Sequence, residues 1–509
     1  MESDEIAIDM RKIDQPEEQN SALKIKEGKP RSEFWPCEEL DTIFQYLKLD
    51  HLLLGTGTSS EAEARPLIQK VPRILRENEK NKDNYDPKLV SIGPYHYGDP
   101  RFELGQTLKT KLVKQFASHV IRTQKKSLED YFCSNNFREV AREARSCYAK
   151  DSTKLDDEAF KCLMFLDGCF VVYFIYCDVN GSKDVQMKKD HKSIILMDLF
   201  LLENQLPYIL LEALVMEFIP TKPSNDGKYH VKDVMETFIT RQTGAQGSQG
   251  RRAPLYQRCL DNCPWLKKRR QSSHIPTSKP GGNLPQTSVG NPPLHLLDFL
   301  RRKLFESRSP PSNDIVGNNW QSFRSIDELK AAGIKCETSH SSCINNIVFQ
   351  PYKLGIYARL LLPVVVIDDS FKTKWLNMAA YEACPDFLND GDITSFLCFM
   401  DSLIDCSADV KELREQGILQ NLLGSDQHVA DLFNELTTDL TPNPDLYRQI
   451  KSDIEKHFGN DCGVWITEAL HTHFTTPWTL LAFLGAVLAL ILTGIQTYLA
   501  AFPANPPND

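Results

Sequence analysis

The run "MDLFLLENQLPYILLEALV", Met197–Val215, decides how this chain is read. It is the most apolar long stretch of the body, yet Glu203, Asn204 and Gln205 interrupt it and Pro207 follows at once. As a membrane span, Ile194–Leu214 would carry Asp198, Glu203, Asn204, Gln205 and Glu212 into the bilayer. Each acid near the centre costs about 3 kcal/mol, which rejects that reading. Pro207 has no N–H and would clash with the carbonyl of Glu203 in a continuous helix. The stretch is therefore expected to be two buried helices meeting at a joint. Asn204 is expected to cap the second helix, with Pro207 in its first turn. Glu203 is expected to be largely buried against a basic residue or backbone donors, and Gln205 to bond backbone groups freed by the break.

Working outward, helical spacing dominates. Leu108, Leu112, Phe116 and Val120 share one face, and "EAFKCLMFLDGCFVVYFIY", Glu158–Tyr176, is apolar nearly all round, as a buried helix is. "SIDELKAAGIKCE" reads as a capped helix ending at Gly333. "NNIVFQ" and "YKLGIYARLLLPVVVID" are β-branched and aromatic between turn residues, which predicts two to four short strands. Helices are expected again from Lys374 to about Lys456. The fold class is mainly α, one large helical domain with a small β element and a single C-terminal transmembrane helix.

The domain would run through 66–220 and 294–465. Before it come a polar tail over 1–35 and a helix with a linker over 36–65. Residues 221–293, with "TGAQGSQGRR" and "SKPGGNLPQTSVGNPP", read as a polar, disordered insertion.

The C-terminus carries the strongest physical signal. Trp478–Ala501 is a run of 24 residues without a charge. As a helix it extends about 36 Å, against a hydrocarbon core of roughly 30 Å. Trp478 and Tyr498 lie near its ends, where interfacial aromatics belong, and Thr479, Thr493, Gln496 and Thr497 are its only polar side chains. The span is assigned to 478–502. Arg448, Lys451 and Lys456 upstream, with no basic-then-apolar leader at the N-terminus, favour a cytosolic body and a tail-anchored, single-pass topology.

Chemistry-bearing patterns are weak. The net charge of −9 argues against non-specific nucleic-acid binding. The 14 cysteines show no C-x-x-C pair and no zinc-finger spacing, so free thiols are expected and no metal or cofactor is implied. In "IGPYHYG", Gly93 and Pro94 fix turns, and His96 could act as a general base, but no nucleophile is tied to it by spacing. In "FLDGCF", Asp167 and Gly168 sit within an apolar helix. A buried carboxylate needs a partner, and Arg142 or Arg145 in the preceding helix are the expected ones. Glu382 has similar company in "AAYEAC".

Several strings together resemble a known family. They are "YDPKLVSIGPYHYG" (Tyr85–Gly98), "AREARSCYA" (Ala141–Ala149), "FLDGCFVV" (Phe165–Val172), "DLFLLENQLPYILLEAL", "HLLDFLR", "LPVVVIDDSF" and "WLNMAAYEAC". The chain is similar over residues 66–502 to the plant family catalogued as domain of unknown function 247. The resemblance implies a mostly helical fold with one C-terminal membrane span. Some grass members of the family act in self-incompatibility, which implies a recognition role for those members only. The resemblance supplies no catalytic residues. The expectation is a non-enzymatic, membrane-anchored module that meets lipid through its last helix and a protein partner through its body. The alternative is a membrane-associated enzyme using a buried acid such as Glu203 or Glu382.

Overall fold

The computed structural model describes residues 67–149, 154–181, 187–219, 232–243, 292–305, 324–339, 343–352, 357–387, 391–459 and 477–501. The tail over 1–35, the helix and linker over 36–65, the "KKRR" string and the His471–His473 pair lie outside them.

The first half is organised around α4, Asp157–Asn180, whose residues from Ala159 to Ile175, the half-buried Cys162 apart, are buried on every side of the helix. Nothing on it faces water for long, which is why its sequence lacks a polar stripe. Asp156 starts it by accepting the Ala159 amide. Around it lie α1 (Glu103–Gln124), α2 (Leu128–Cys133) and α3 (Asn135–Ser146). Phe116 of α1 stacks on Tyr173 of α4 at 4.9 Å, and Phe137 of α3 meets Phe165 edge-on at 5.0 Å.

The stretch from Met197 breaks as its proline requires. Helix α5, Lys189–Asp198, ends before a single 3-10 turn at Leu202–Asn204. Helix α6, Tyr208–Phe218, then leaves at 106° to α5. Both flanks are core, with Leu199, Leu202, Leu210, Leu211 and Leu214 buried. Pro207 is the residue before the first helical turn, not within it, and α6 has no side-chain cap. The Tyr208 amide is met instead by the Leu294 carbonyl at 2.7 Å.

A correction concerns residues 221–293. Helix α7, Lys232–Gln242, lies inside the stretch read as polar insertion. Met235, Phe238 and Ile239, spaced one helical turn apart, are fully buried where α7 meets α4 and α8 (Leu296–Leu304). The Gly/Ser-rich composition downstream outweighed that short amphipathic signal.

The second half pairs a small sheet with helices. Ser325 caps α9, Ile326–Ala331, and Gly333 turns the chain at φ 78° into β1, Ile334–Thr338. β1 runs parallel to β3 (Ala358–Leu362), and β2 (Val348–Pro351) lies antiparallel on the other side of β3. β4 (Val365–Ile367) pairs in parallel with β5 (Leu419–Asn421). β5 falls in a stretch read as helical, because three residues after a turn carry no periodicity. Helices α10 (Phe371–Glu382), α11 (Asp392–Leu403), α12 (Ser407–Glu415), α13 (Asp426–Leu436) and α14 (Arg448–Phe458) complete the body. The fold is mainly α with small sheets. Helix α15, Pro477–Ala501, is long and apolar enough to cross a membrane.

Candidate functional site

The joint at Leu202–Pro207 gathers the polar residues that the sequence singles out. Asn204 does not cap α6. Its Oδ1 accepts the Ile92 amide at 2.6 Å, and its Nδ2 donates to the carbonyls of Val90 and Asp198. The break leaves the loop over Leu89–Gly93 with unpaired backbone groups, and these outcompete a helix end for the amide. Gln205 donates to the Leu199 and Leu201 carbonyls and accepts the Leu297 amide, so its side chain closes the break it lies in. Asp198 receives three amides in a row, from Lys88, Leu89 and Val90, at 2.8–2.9 Å.

Gly93 stands at φ +73°, and a Cβ there would lie 3.0 Å from the Gln205 carbonyl oxygen. Both the backbone conformation and the close approach explain the glycine. Pro94 beside it is buried.

Asp167 reaches the same loop from α4. Its Oδ2 accepts the Gly93 amide at 2.8 Å, and its Oδ1 pairs with Lys109 of α1 at 2.5 Å. The expected partners do not hold it: Arg145 donates to the carbonyls of Leu155 and Asp156. Burial pushes the Asp167 carboxyl above its ordinary range, and Lys109 and the Gly93 amide oppose that shift. Lys109 was legible in principle. It lies one turn from Gly105 and Val113 on the buried face of α1, an unusual place for a lone lysine. Gly168 serves packing: a Cβ would come within 2.4 Å of Leu214 of α6.

Glu203 is 5% exposed. Its Oε1 accepts the Val71 amide at 2.9 Å, and its Oε2 lies 2.9 Å from Arg76, an ion pair without an aligned hydrogen bond. His96 Nε2 stands 3.5 Å from the same oxygen. Burial lowers the His96 pKa, and Glu203 only partly offsets this. These three side chains floor an open cleft of about 400 Å³ whose rim includes Lys70, Arg73 and Asp86. Glu382 is elsewhere. Its carboxylate accepts the Ile393 and Thr394 amides at the start of α11 and pairs with Arg301 at 3.1 Å. Burial raises its pKa, against the pull of Arg301. The two acids considered for catalysis thus do not converge on one site.

Asn377 was not singled out by sequence. It accepts the Leu202 amide and donates to the Asn84 carbonyl, tying α10 to the joint. An amide inside the apolar "WLNMAAYEAC" was the available signal. Among the described residues, no three His, Cys, Asp or Glu side chains come together to hold a metal ion. Tyr498 and Gln496 are exposed on α15, and the Trp478 side chain lies outside the described set.

The geometry can bind and staple chain segments. The cleft acid is already paired, and among the described residues neither Ser nor Cys lines the cleft.

Comparison with known proteins agrees with the motif strings. The profile of a plant protein family of unknown function, DUF247, matches residues 68–492. A UPF0481 protein of Arabidopsis thaliana is 25% identical over 441 residues, covering 82% of this chain and 83% of that protein. A second UPF0481 protein of the same plant is 23% identical over 499 residues, covering 86% and 90%. No solved structure matches the chain. With its motifs, helical body and match over most of its length, the chain belongs to the DUF247 family of plant proteins of unknown function.

Proposed function

We propose that this protein is a single-pass, membrane-anchored recognition module with a cytosolic body and no catalytic activity of its own. The observation that carries the anchoring is the exposure of α15. Leu481, Phe483, Leu488, Leu490 and Ile491 are all more than half exposed. Apolar surface left in water costs about 25 cal/mol per Å², and a bilayer removes that cost. The non-catalytic reading is supported by the use of Asp167, Asp198, Glu203 and Glu382 as anchors for backbone amides. Such acids hold the body rigid, and its surface is left to a protein partner.

The test is extraction. The full chain should stay in the membrane pellet through alkaline carbonate, and a chain ending at Thr476 should be released. Release of the full chain sinks the anchoring. Protease added to intact microsomes should digest the body, and protection of the body overturns its cytosolic placement. Proximity labelling from the native membrane then names the partner.

The His96–Glu203 contact in the cleft favours one second reading, a membrane-associated enzyme. It would be supported by turnover in a substrate panel that is lost on His96→Ala in a normally folded chain.

A further inference from the structure

A second cavity, of about 210 Å³, lies where α7, α8, α10 and β4 meet. Leu304, Val365, Trp375 and Met378 form apolar walls, Arg241, Thr243, Asp368 and Ser370 add polar ones, and Lys374 and Gln242 are part of the lining. The Lys374 stem is partly exposed, but its amine is drawn inward. It donates to Gln242 Oε1 at 2.9 Å and lies over the Phe200 ring at 5.2 Å. No carboxylate pairs with it among the described residues. Asp368, an acid in the same lining whose charge acts on Lys374 without pairing with it, is engaged by the amide and hydroxyl of Ser370. Arg241 is engaged by the carbonyls of Asp178 and Val179 at the end of α4. Every other deeply buried cation described above has an acid partner, and Lys374 has an empty space beside it.

A buried ammonium is stable only when paired or neutralised. Loss of hydration lowers the Lys374 pKa, as expected of an amine without its counter-charge. Gln242 spends its carbonyl oxygen on Lys374, so its Nε2 is a second donor at the same end of the cavity. An ammonium and an amide side by side suit the two oxygens of one carboxylate. Asp368 in the lining sets a second negative charge against a phosphate dianion, and among the described lining residues Lys374 is the one cation not already engaged, which balances a single negative charge.

We propose that this cavity binds a small monocarboxylic acid with an apolar body, its carboxylate on Lys374 and Gln242. The site is independent of the anchoring and recognition reading.

The experiment uses the full chain in lipid nanodiscs, with phenylacetate as the probe and phenylacetamide as its neutral counterpart. Trace acylation of lysines, read by mass spectrometry with the other lysines as internal reference, should slow at Lys374 when phenylacetate is present. Phenylacetamide should leave it unchanged. Lys374→Met keeps the stem and removes the charge, and should weaken phenylacetate binding roughly tenfold or more, as loss of a charged hydrogen bond does. Protection by phenylacetamide equal to that by phenylacetate overturns the proposal. So does protection by inorganic phosphate, or a lack of protection by both phenylacetate and octanoate. The labelling arm needs no variant, so a failure of Lys374→Met to fold leaves the test intact.

Discussion

Helices α4 and α15 are almost equal in length and hydropathy, and either could cross a membrane on those grounds alone. Their surroundings are opposite. In the most apolar window of α4, 78% of the residues are buried within the protein, against none in α15. The difference lies in a few side chains. α4 carries Asp167, which only a protein interior can satisfy, through Lys109 and the Gly93 amide. α15 carries Thr493 and Thr497, whose hydroxyls return to the carbonyls of Ala489 and Thr493 in the same helix. A polar group that needs a distant partner marks an apolar helix as core. One that satisfies itself locally leaves the helix free for lipid.

The most severe way to break this comparison is Lys109→Met, which leaves Asp167 buried without a counter-charge, held only by the Gly93 amide. It should cost about 3–5 kcal/mol in chemical unfolding of the body, and Lys109→Met with Asp167→Leu should recover much of that loss. An unaffected single variant would mean that α4 does not depend on the pair.

Leu488→Arg puts a charge at the middle of α15. It should oppose membrane insertion by about 3 kcal/mol, seen as a soluble fraction in carbonate extraction, while the unfolding of the body stays unchanged. A destabilised body would show that α15 is part of the core after all.

The third test is pH. His295 is fully buried, and its Nδ1 accepts the Asp298 amide, which requires a neutral ring. Burial lowers its pKa from 6.5 to about 4. The unfolded chain therefore takes up the proton first, and stability present above pH 6.5 is lost as pH falls toward 4. At pH 5 the His295 contribution to the loss should be about 2 kcal/mol, set against the buried carboxyls whose raised pKa values act in the opposite sense. His295→Asn should flatten that dependence, and retention in the membrane should show none. An identical pH dependence in the chain and in His295→Asn would contradict the assignment.

Legibility followed the range of the interactions. The break at Pro207 was readable because proline chemistry is local, and the long apolar C-terminal helix because length and charge suffice. The acid at Glu203 was readable as buried, since its neighbours leave it no exposed face. Its partners were not. Arg76 and Val71 lie more than a hundred residues upstream, and nothing in the composition ties them to Glu203. Asn204 was misread for the same reason: a local cap was weighed, but a distant loop held the stronger claim. Local turn chemistry also missed β1 and β5, whose pairing partners are remote. Lys109 and Asn377 show what could have been seen, since each is a polar residue on an otherwise apolar helical face.

The joint also has a kinetic side. Its bonds connect residues far apart along the chain, with separations of 132 for Val71–Glu203, 175 for Leu202–Asn377 and 293 for Asn84–Asn377. Until α10 arrives, the Leu202 amide and the Asn84 carbonyl lack the Asn377 side chain that meets them both. Contacts of such span close late, because loop closure precedes their reward. The first half of the body is therefore expected to wait, collapsed but unlocked, for the second. That interval is when the chain is most open to aggregation and to chaperones.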